Sequence, residues 1–325
     1  MERFDGFVER ALYHPARGFY AAGGQAGRRG DFLTSPEVGP LFGAVLARAL
    51  DTWWHEVGEP DSYTVVEAGA GPGTLARTIL AAAPECAAAL RYVAVERSAA
   101  QRTLHPEGVE SRIDLPEGSV TGVVVANELL DNLPFRVLER AAEGWAEVWV
   151  HDGAGALVAV DEPPAAVAGL DDVVPGCRVP VQEQAAAWLG DASALIERGR
   201  VVVVDYADTT ASMAARSQGE WLRTYRGHDR GGDPLDAPGN QDITVEVAVD
   251  QLAAVRPPDA NRSQAEFLRA HGIDELVEEG RRVWAERAHL GDLAAIRARS
   301  RVTEAEALLD PAGLGAFRVL EWVTP

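Results

Sequence analysis

The stretch Val65–Leu80, "VVEAGAGPGTLARTIL", constrains the fold more than any other part of the chain. An apolar run, glycines at Gly69, Gly71 and Gly73, and then an apolar-periodic segment read as strand, tight turn and helix. Glycines in such a turn supply positive φ or let a ligand approach the backbone closely. An ordinary tight turn would use them too, so the residues around them must decide.

The dinucleotide fingerprint G-x-G-x-x-G puts its third glycine at the helix–sheet contact and a pyrophosphate on the helix N-terminus. Here the third glycine comes one residue early and Thr74 holds the fingerprint position. Glu67, at the mouth of the turn, would repel a pyrophosphate and suit a ligand with an ammonium group. S-adenosylmethionine carries an ammonium, a sulfonium and no phosphate. The next strand, "RYVAVERS", ends in Glu96, an acid placed to accept hydrogen bonds from both ribose hydroxyls. Nicotinamide folds use the same acid, so a nicotinamide oxidoreductase stays as a distant alternative.

The rhythm around this turn predicts an α/β protein. "YTVVEAG", "RYVAVER", "GVVVANELL" and "GRVVVVDYAD" are buried strands without clean alternation, separated by helices, as in a parallel sheet covered on both faces. Residues 1–60 read as N-terminal helices with a Gly-rich loop, and 61–208 as the core, interrupted at 135–161 by a β-meander. Residues 209–300 read as a cap, loop then helices, over the carboxyl edge of the sheet, and 301–325 as closing strands that include "FRVLEWV". A net charge of −20 disfavours nucleic acid and an anionic membrane surface, and favours a basic protein or peptide as partner. Neither Cys86 nor Cys177 sits in a metal or redox spacing, so no metal is expected. With no apolar core of signal-peptide length at the N-terminus and no apolar run of about 18 residues, a cytoplasmic protein is expected.

At "GDFLTSPEVGPLFG", "VVEAGAGPGTL", "ANELLDNLPFRVLE", "GRVVVVDYAD", "LRTYRGHDRGGDPLDAPGNQDIT" and "SQAEFLRAHGI" the chain resembles the MidA-type methyltransferases along nearly its whole length. Mitochondrial members of that family are complex I assembly factors that methylate an arginine of a complex I subunit. The resemblance implies a class I, Rossmann-like seven-stranded core with a mostly helical extra domain, and S-adenosyl-L-methionine as cofactor. It assigns Glu67, Gly69, Gly71 and Gly73 to the cofactor turn, Glu96 to the ribose, and Gly30, Asp31, Thr34, Ser35 and Glu37 to a segment closing over the methionine end. A helix cap with a favourable first-turn charge is the plainer reading of Ser35 and Glu37. Asp114 could reach the adenine, though a surface turn reads more simply there.

"ANELLDNLP" follows a buried strand, which puts Asn127, Glu128 and Asp131 at the carboxyl edge, with Asn127 on the cofactor side. Carboxylates hold a planar guanidinium by paired hydrogen bonds, so Glu128 and Asp131 are the candidate catalytic acids. Asp242 is the third, arriving from the inserted region, and Asp205 occupies a similar edge. Leu129 and Leu130 replace the family's usual aromatic pair, Ala207 and Asp208 its Gly and His, and Glu246 a common histidine. His228 is read as a loop histidine with a structural or a general-base role. The expected function is N-methylation of an arginine in a protein partner, with a homodimer left open. The alternatives are methylation of a small molecule, or a cofactor-retaining assembly factor without catalysis.

Overall fold

The computed structural model describes residues 1–21, 34–227 and 229–325. Its central sheet has seven strands, here named β1 (Tyr63–Ala68), β2 (Leu90–Val95), β3 (Glu110–Arg112), β4 (Val120–Asn127), β5 (Ile196–Asp205), β6 (Ala260–Ser263) and β7 (Arg318–Thr324). They lie in the order β6-β7-β5-β4-β1-β2-β3. Neighbours from β5 to β3 are parallel, and β7 runs antiparallel to both β5 and β6. The chain steps outward from β1 to β3 and then returns to the other side of β1 for β4. Strand order therefore reverses between β1 and β4, and the connections leaving these two strands diverge and open a crevice at their carboxyl ends.

The valine-rich runs work because both faces are covered. Val65, Val123, Val125, Val202 and Val204 meet helices Pro40–Glu56 and Thr74–Ala82 on one side. Val66, Val124, Ala126 and Val203 meet helix Glu183–Leu195 on the other. The first two helices touch at Gly43, where a Cβ would lie 2.1 Å from Thr78 Oγ1. Gly43→Val is therefore expected to cost about 1–3 kcal/mol of stability in denaturant melts, by forcing these helices apart.

The meander is larger than the sequence suggests. Strands Arg136–Arg140, Trp145–His151 and Ala154–Val160 are joined by Glu2–Arg3, which pairs with Trp149 and Val150, and by Arg178–Val181, which pairs with Arg136–Glu139, in a five-stranded antiparallel sheet. The cap expected over residues 209–300 divides. Its ribbon Leu222–Arg226 and Asp242–Val245 lies near the carboxyl edge, where Asn132 donates to Asp242. Its later part does not cover that edge: β6 joins the central sheet, and Phe267, Leu268, Ile273 and Leu276 complete the core against helix Pro40–Glu56. Burying these apolar residues takes precedence over roofing a polar cleft. The final segment likewise holds one strand, β7, preceded by helix Leu293–Leu308, which crosses the expected boundary at residue 300. Among the described residues no helix is long and apolar enough to cross a membrane, and no group of three or more His, Cys, Asp or Glu is arranged to hold a metal ion.

Candidate active site

A cleft of about 610 Å³ opens where β1, β2 and β4 end, within the usual size range of ligand sites. Glu67, Gly69, Gly71, Thr74, Glu96, Asn127, Glu128, Thr34 and Glu37 all line it. Gly69 and Gly71 have φ of 71° and 52°, and a Cβ on Gly69 would lie 3.0 Å from Leu129. The Gly71 amide donates to Glu96 Oε2 at 3.0 Å and the Ser98 amide to Glu96 Oε1 at 2.7 Å, so this carboxylate ties the turn to the end of β2.

Glu67 is buried at the end of β1. Burial pushes its carboxyl up to about 8, against hydrogen bonds from the Tyr92 hydroxyl (2.8 Å) and the Ala76 amide, with the Glu96 charge adding to the rise. Asn127 Nδ2 donates to Glu128 Oε1 at 3.1 Å, whereas its Oδ1 is buried without a partner among the described residues. The wall of the cleft thus offers two acceptors, Glu67 and Asn127 Oδ1, and a donor-rich cation is the ligand that satisfies both.

Other expected residues stand elsewhere. Gly73, at φ 77°, starts helix Thr74–Ala82 but is not among the lining residues; its Cα side faces Pro106 and His105, so its freedom shapes the turn. Ser35 is fully buried and does not line the cleft; its hydroxyl donates to Gln264 Oε1 at 2.8 Å, while its amide donates to Glu128 Oε1 at 3.2 Å. Gly30, Asp31 and His228 lie outside the described residues. Asp114 stands exposed in a bend, as the plainer reading has it, and also lines the cleft.

Of the three candidate catalytic acids only Glu128 lines the cleft; Asp131 and Asp242 are buried behind it. Tyr206 donates to Asp131 Oδ2 at 2.8 Å, and Asp131 Oδ1 is buried with no partner among the described residues. Tyr20 donates to Asp242 Oδ1 at 3.1 Å and Asn132 Nδ2 at 3.3 Å. Asp205 accepts from the Leu130, Asp131 and Tyr206 amides, the role of a turn cap. Burial raises Glu128 to about 8 and Asp131 and Asp242 to about 7, and Asp131 adds to the rise at Glu128 and Asp242. Asp205 is raised as well, by burial first and then by Asp131 and Glu128. None of these four acids, nor Glu67, has an ion-pair partner among the described residues.

The substituted positions of the family pattern also have a local account. Glu246 pairs with Arg216 at 2.5 Å and Arg223 at 2.9 Å, and Asp208 shares Arg216 at 3.1 Å. Sequence reading missed Tyr13, Tyr20, Arg97 and Trp188 as lining residues. Tyr13 and Tyr20 stack with centroids 5.5 Å apart, and the Arg97 guanidinium lies 4.5 Å from the Tyr13 ring. The tyrosines sit in or just after the N-terminal helix, far in sequence from the glycine turn, and no local pattern marks them.

The family model of S-adenosyl-L-methionine-dependent methyltransferases matches residues 45–264. Protein arginine methyltransferase NDUFAF7, mitochondrial, of Mus musculus is 26% identical over 329 residues, spanning 82% of this chain and 70% of its own length. Its Homo sapiens counterpart is 26% identical over 328 residues, spanning 82% and 69%. The crystal structure of a COG1565 superfamily member from Burkholderia thailandensis bound to S-adenosyl-homocysteine matches with a TM-score of 0.84 and 29% identity, covering 99% of this chain and 87% of that one. A native structure of a COG1565 superfamily protein from the same organism matches with a TM-score of 0.79 at the same identity.

Proposed function

Because the chain belongs to the S-adenosyl-L-methionine-dependent methyltransferase family, we propose that it methylates a nitrogen of a protein partner, with an arginine guanidinium as the acceptor its site favours. The observation that carries this reading is the set of carboxyls at the carboxyl edge, Glu128 half-buried in the cleft with Asp131 and Asp242 buried behind it, none of them paired with a cation among the described residues. Buried acids without a counter-charge are held neutral by burial, and a cation arriving beside them converts that penalty into attraction. A guanidinium matches them in charge and planarity. The named activity of the NDUFAF7 relatives points the same way.

In this reading the cofactor supplies a methyl group activated on a sulfonium. Glu67 and Asn127 Oδ1 take its ammonium end, and Glu96 its ribose. Glu128 aligns the acceptor, because such a displacement depends chiefly on orientation and exclusion of water. The acceptor nitrogen sheds one proton as it gains the methyl, and the carboxylate of Glu128 is placed to receive it.

Incubation with methyl-labelled S-adenosylmethionine and a cell lysate tests this. Label is expected in protein, recovered as methylarginine after acid hydrolysis. It should decline with added salt, since a net charge of −20 attracts basic segments through screened electrostatics. Label confined to small molecules, or found on lysine, would overturn the arginine assignment.

A further inference from the structure

The motif "SQAEFLRAHG" lies far from the cleft in sequence and forms helix Gln264–Ala270 on a covered face of the sheet, yet the side chain of Gln264 meets Ser35, which stands between the cleft-lining residues Thr34 and Pro36. Gln264 is fully buried. Its Oε1 accepts the Ser35 hydroxyl at 2.8 Å, its Nε2 donates to the Leu308 carbonyl at 3.2 Å, and its amide donates to the Phe317 carbonyl at 2.7 Å. The side chain is thus held at both ends and presents one fixed acceptor to Ser35. Ser35 in turn aims its amide at Glu128 Oε1, which also takes Asn127 Nδ2. With Oε1 engaged twice, Oε2 has no partner among the described residues and is the oxygen left for the acceptor. The far end of the same turn is clamped as well. Glu304 Oε2 accepts the Leu41 amide at 2.9 Å, and its carboxyl sits 2.3 Å from where a Cβ on Gly39 would stand.

We propose that Gln264 is a positioning residue for methyl transfer, fixing the Ser35 amide against Glu128 so that one carboxyl oxygen is held and the other faces the acceptor. The inference rests on the reading of Glu128 as the acceptor-side acid. Glu128 is distinctive in needing such a hold. Its φ of 51° is unusual for a residue with a side chain, and burial and Asp131 from the following turn oppose its ionisation, while Glu128 in turn raises Asp205 at the end of β5 and Glu37 lines the same cleft. Among the described residues, amide groups alone, from Ser35 and Asn127, favour the ionised form.

Infrared difference spectroscopy across pH 6–10 follows the protonated carboxyl band, and Glu128→Gln identifies the component that belongs to Glu128. In Gln264→Met, which keeps side-chain volume and removes both side-chain hydrogen bonds, the midpoint of that component is expected to rise by about one pH unit, the size of one lost hydrogen bond to a charged group. Ser35→Ala should move it the same way, and the double variant no further than the larger single shift, because both act through one contact. A role confined to stability would lower the melting temperature and leave the midpoint in place. An unchanged midpoint in folded Gln264→Met overturns the proposal; if that variant does not fold, an unchanged midpoint in Ser35→Ala does so. Should the midpoints shift while Glu128→Gln still transfers methyl groups at the wild-type rate, the acceptor role of Glu128 fails and the positioning contact stands.

Discussion

Glu67→Gln is expected to weaken S-adenosylmethionine binding by about tenfold to a hundredfold, the worth of a charge-assisted hydrogen bond reduced to a neutral one. Glutamine retains the shape and can still accept from Tyr92, whose hydroxyl lies 2.8 Å from the carboxyl, so the turn should keep its geometry. What disappears is the charge. In the ligand-free protein that charge is mostly absent at neutral pH, because burial raises the Glu67 carboxyl to about 8. An ammonium docking there favours the ionised form and expels a proton to solvent. Wild-type affinity should therefore increase from pH 6 to 8, with a slope approaching one log unit per pH unit, and calorimetry in buffers of different ionisation enthalpy should report proton release. In Glu67→Gln that component of proton release should be lost and the slope reduced. Unchanged affinity and proton release would remove Glu67 from the ammonium site. Stability without the ligand runs the opposite way. A carboxyl raised in the folded state stabilises fully below its unfolded value near 4.5 and loses that contribution as pH rises through about 8. Glu128, Asp131 and Asp242, raised to about 7 or 8, add to the trend, so the ligand-free melting temperature should fall from pH 5 to pH 8 and the cofactor should reduce the fall.

The parts of this site legible in the sequence are those whose geometry is local. Glu67 and the glycines occupy one strand-to-helix turn, so their spacing alone puts Glu67, Gly69 and Gly71 at the cleft. Glu96 ends the adjacent strand, and parallel pairing of β1 with β2 brings it to the same edge. Spacing could not tell which way Ser35 faces, because its partner Gln264 lies 229 positions away. Nor could it separate Glu128 from Asp131. Both belong to "NELLDNLP", but the turn after β4 directs Glu128 into the cleft and buries Asp131 against Tyr206. The helices after residue 260 were misplaced over the cleft because their amphipathic pattern shows that they cover something apolar, not which surface they cover.

Glu128 carries the other large effect. Glu128→Gln should lower methyl transfer by about a hundredfold or more while cofactor affinity stays near wild type, since the residue is placed on the acceptor side and a positioned base or clamp is commonly worth that much. The pH profile supplies the sign. With the carboxyl raised to about 8, the anion that a guanidinium needs becomes more abundant as pH rises, so kcat/KM should climb between pH 6 and 8 and then level off. The apparent midpoint belongs to the coupled set of Glu128, Asp131 and Asp205 rather than to one side chain. In Glu128→Gln the climb should flatten. Glu128→Gly separates backbone from side chain. A residue at φ 51° carries strain of about 1–3 kcal/mol that glycine escapes, set against its larger loss of chain entropy on folding. This variant should thus melt no lower than wild type while losing the same methyl-transfer activity as Glu128→Gln. Strain retained at one turn, in a fold that could shed it by a single change to glycine, is explained if the side chain held there is needed for the chemistry. A large loss of stability in Glu128→Gly would instead make the residue a structural tie between β4 and the Ser35 turn.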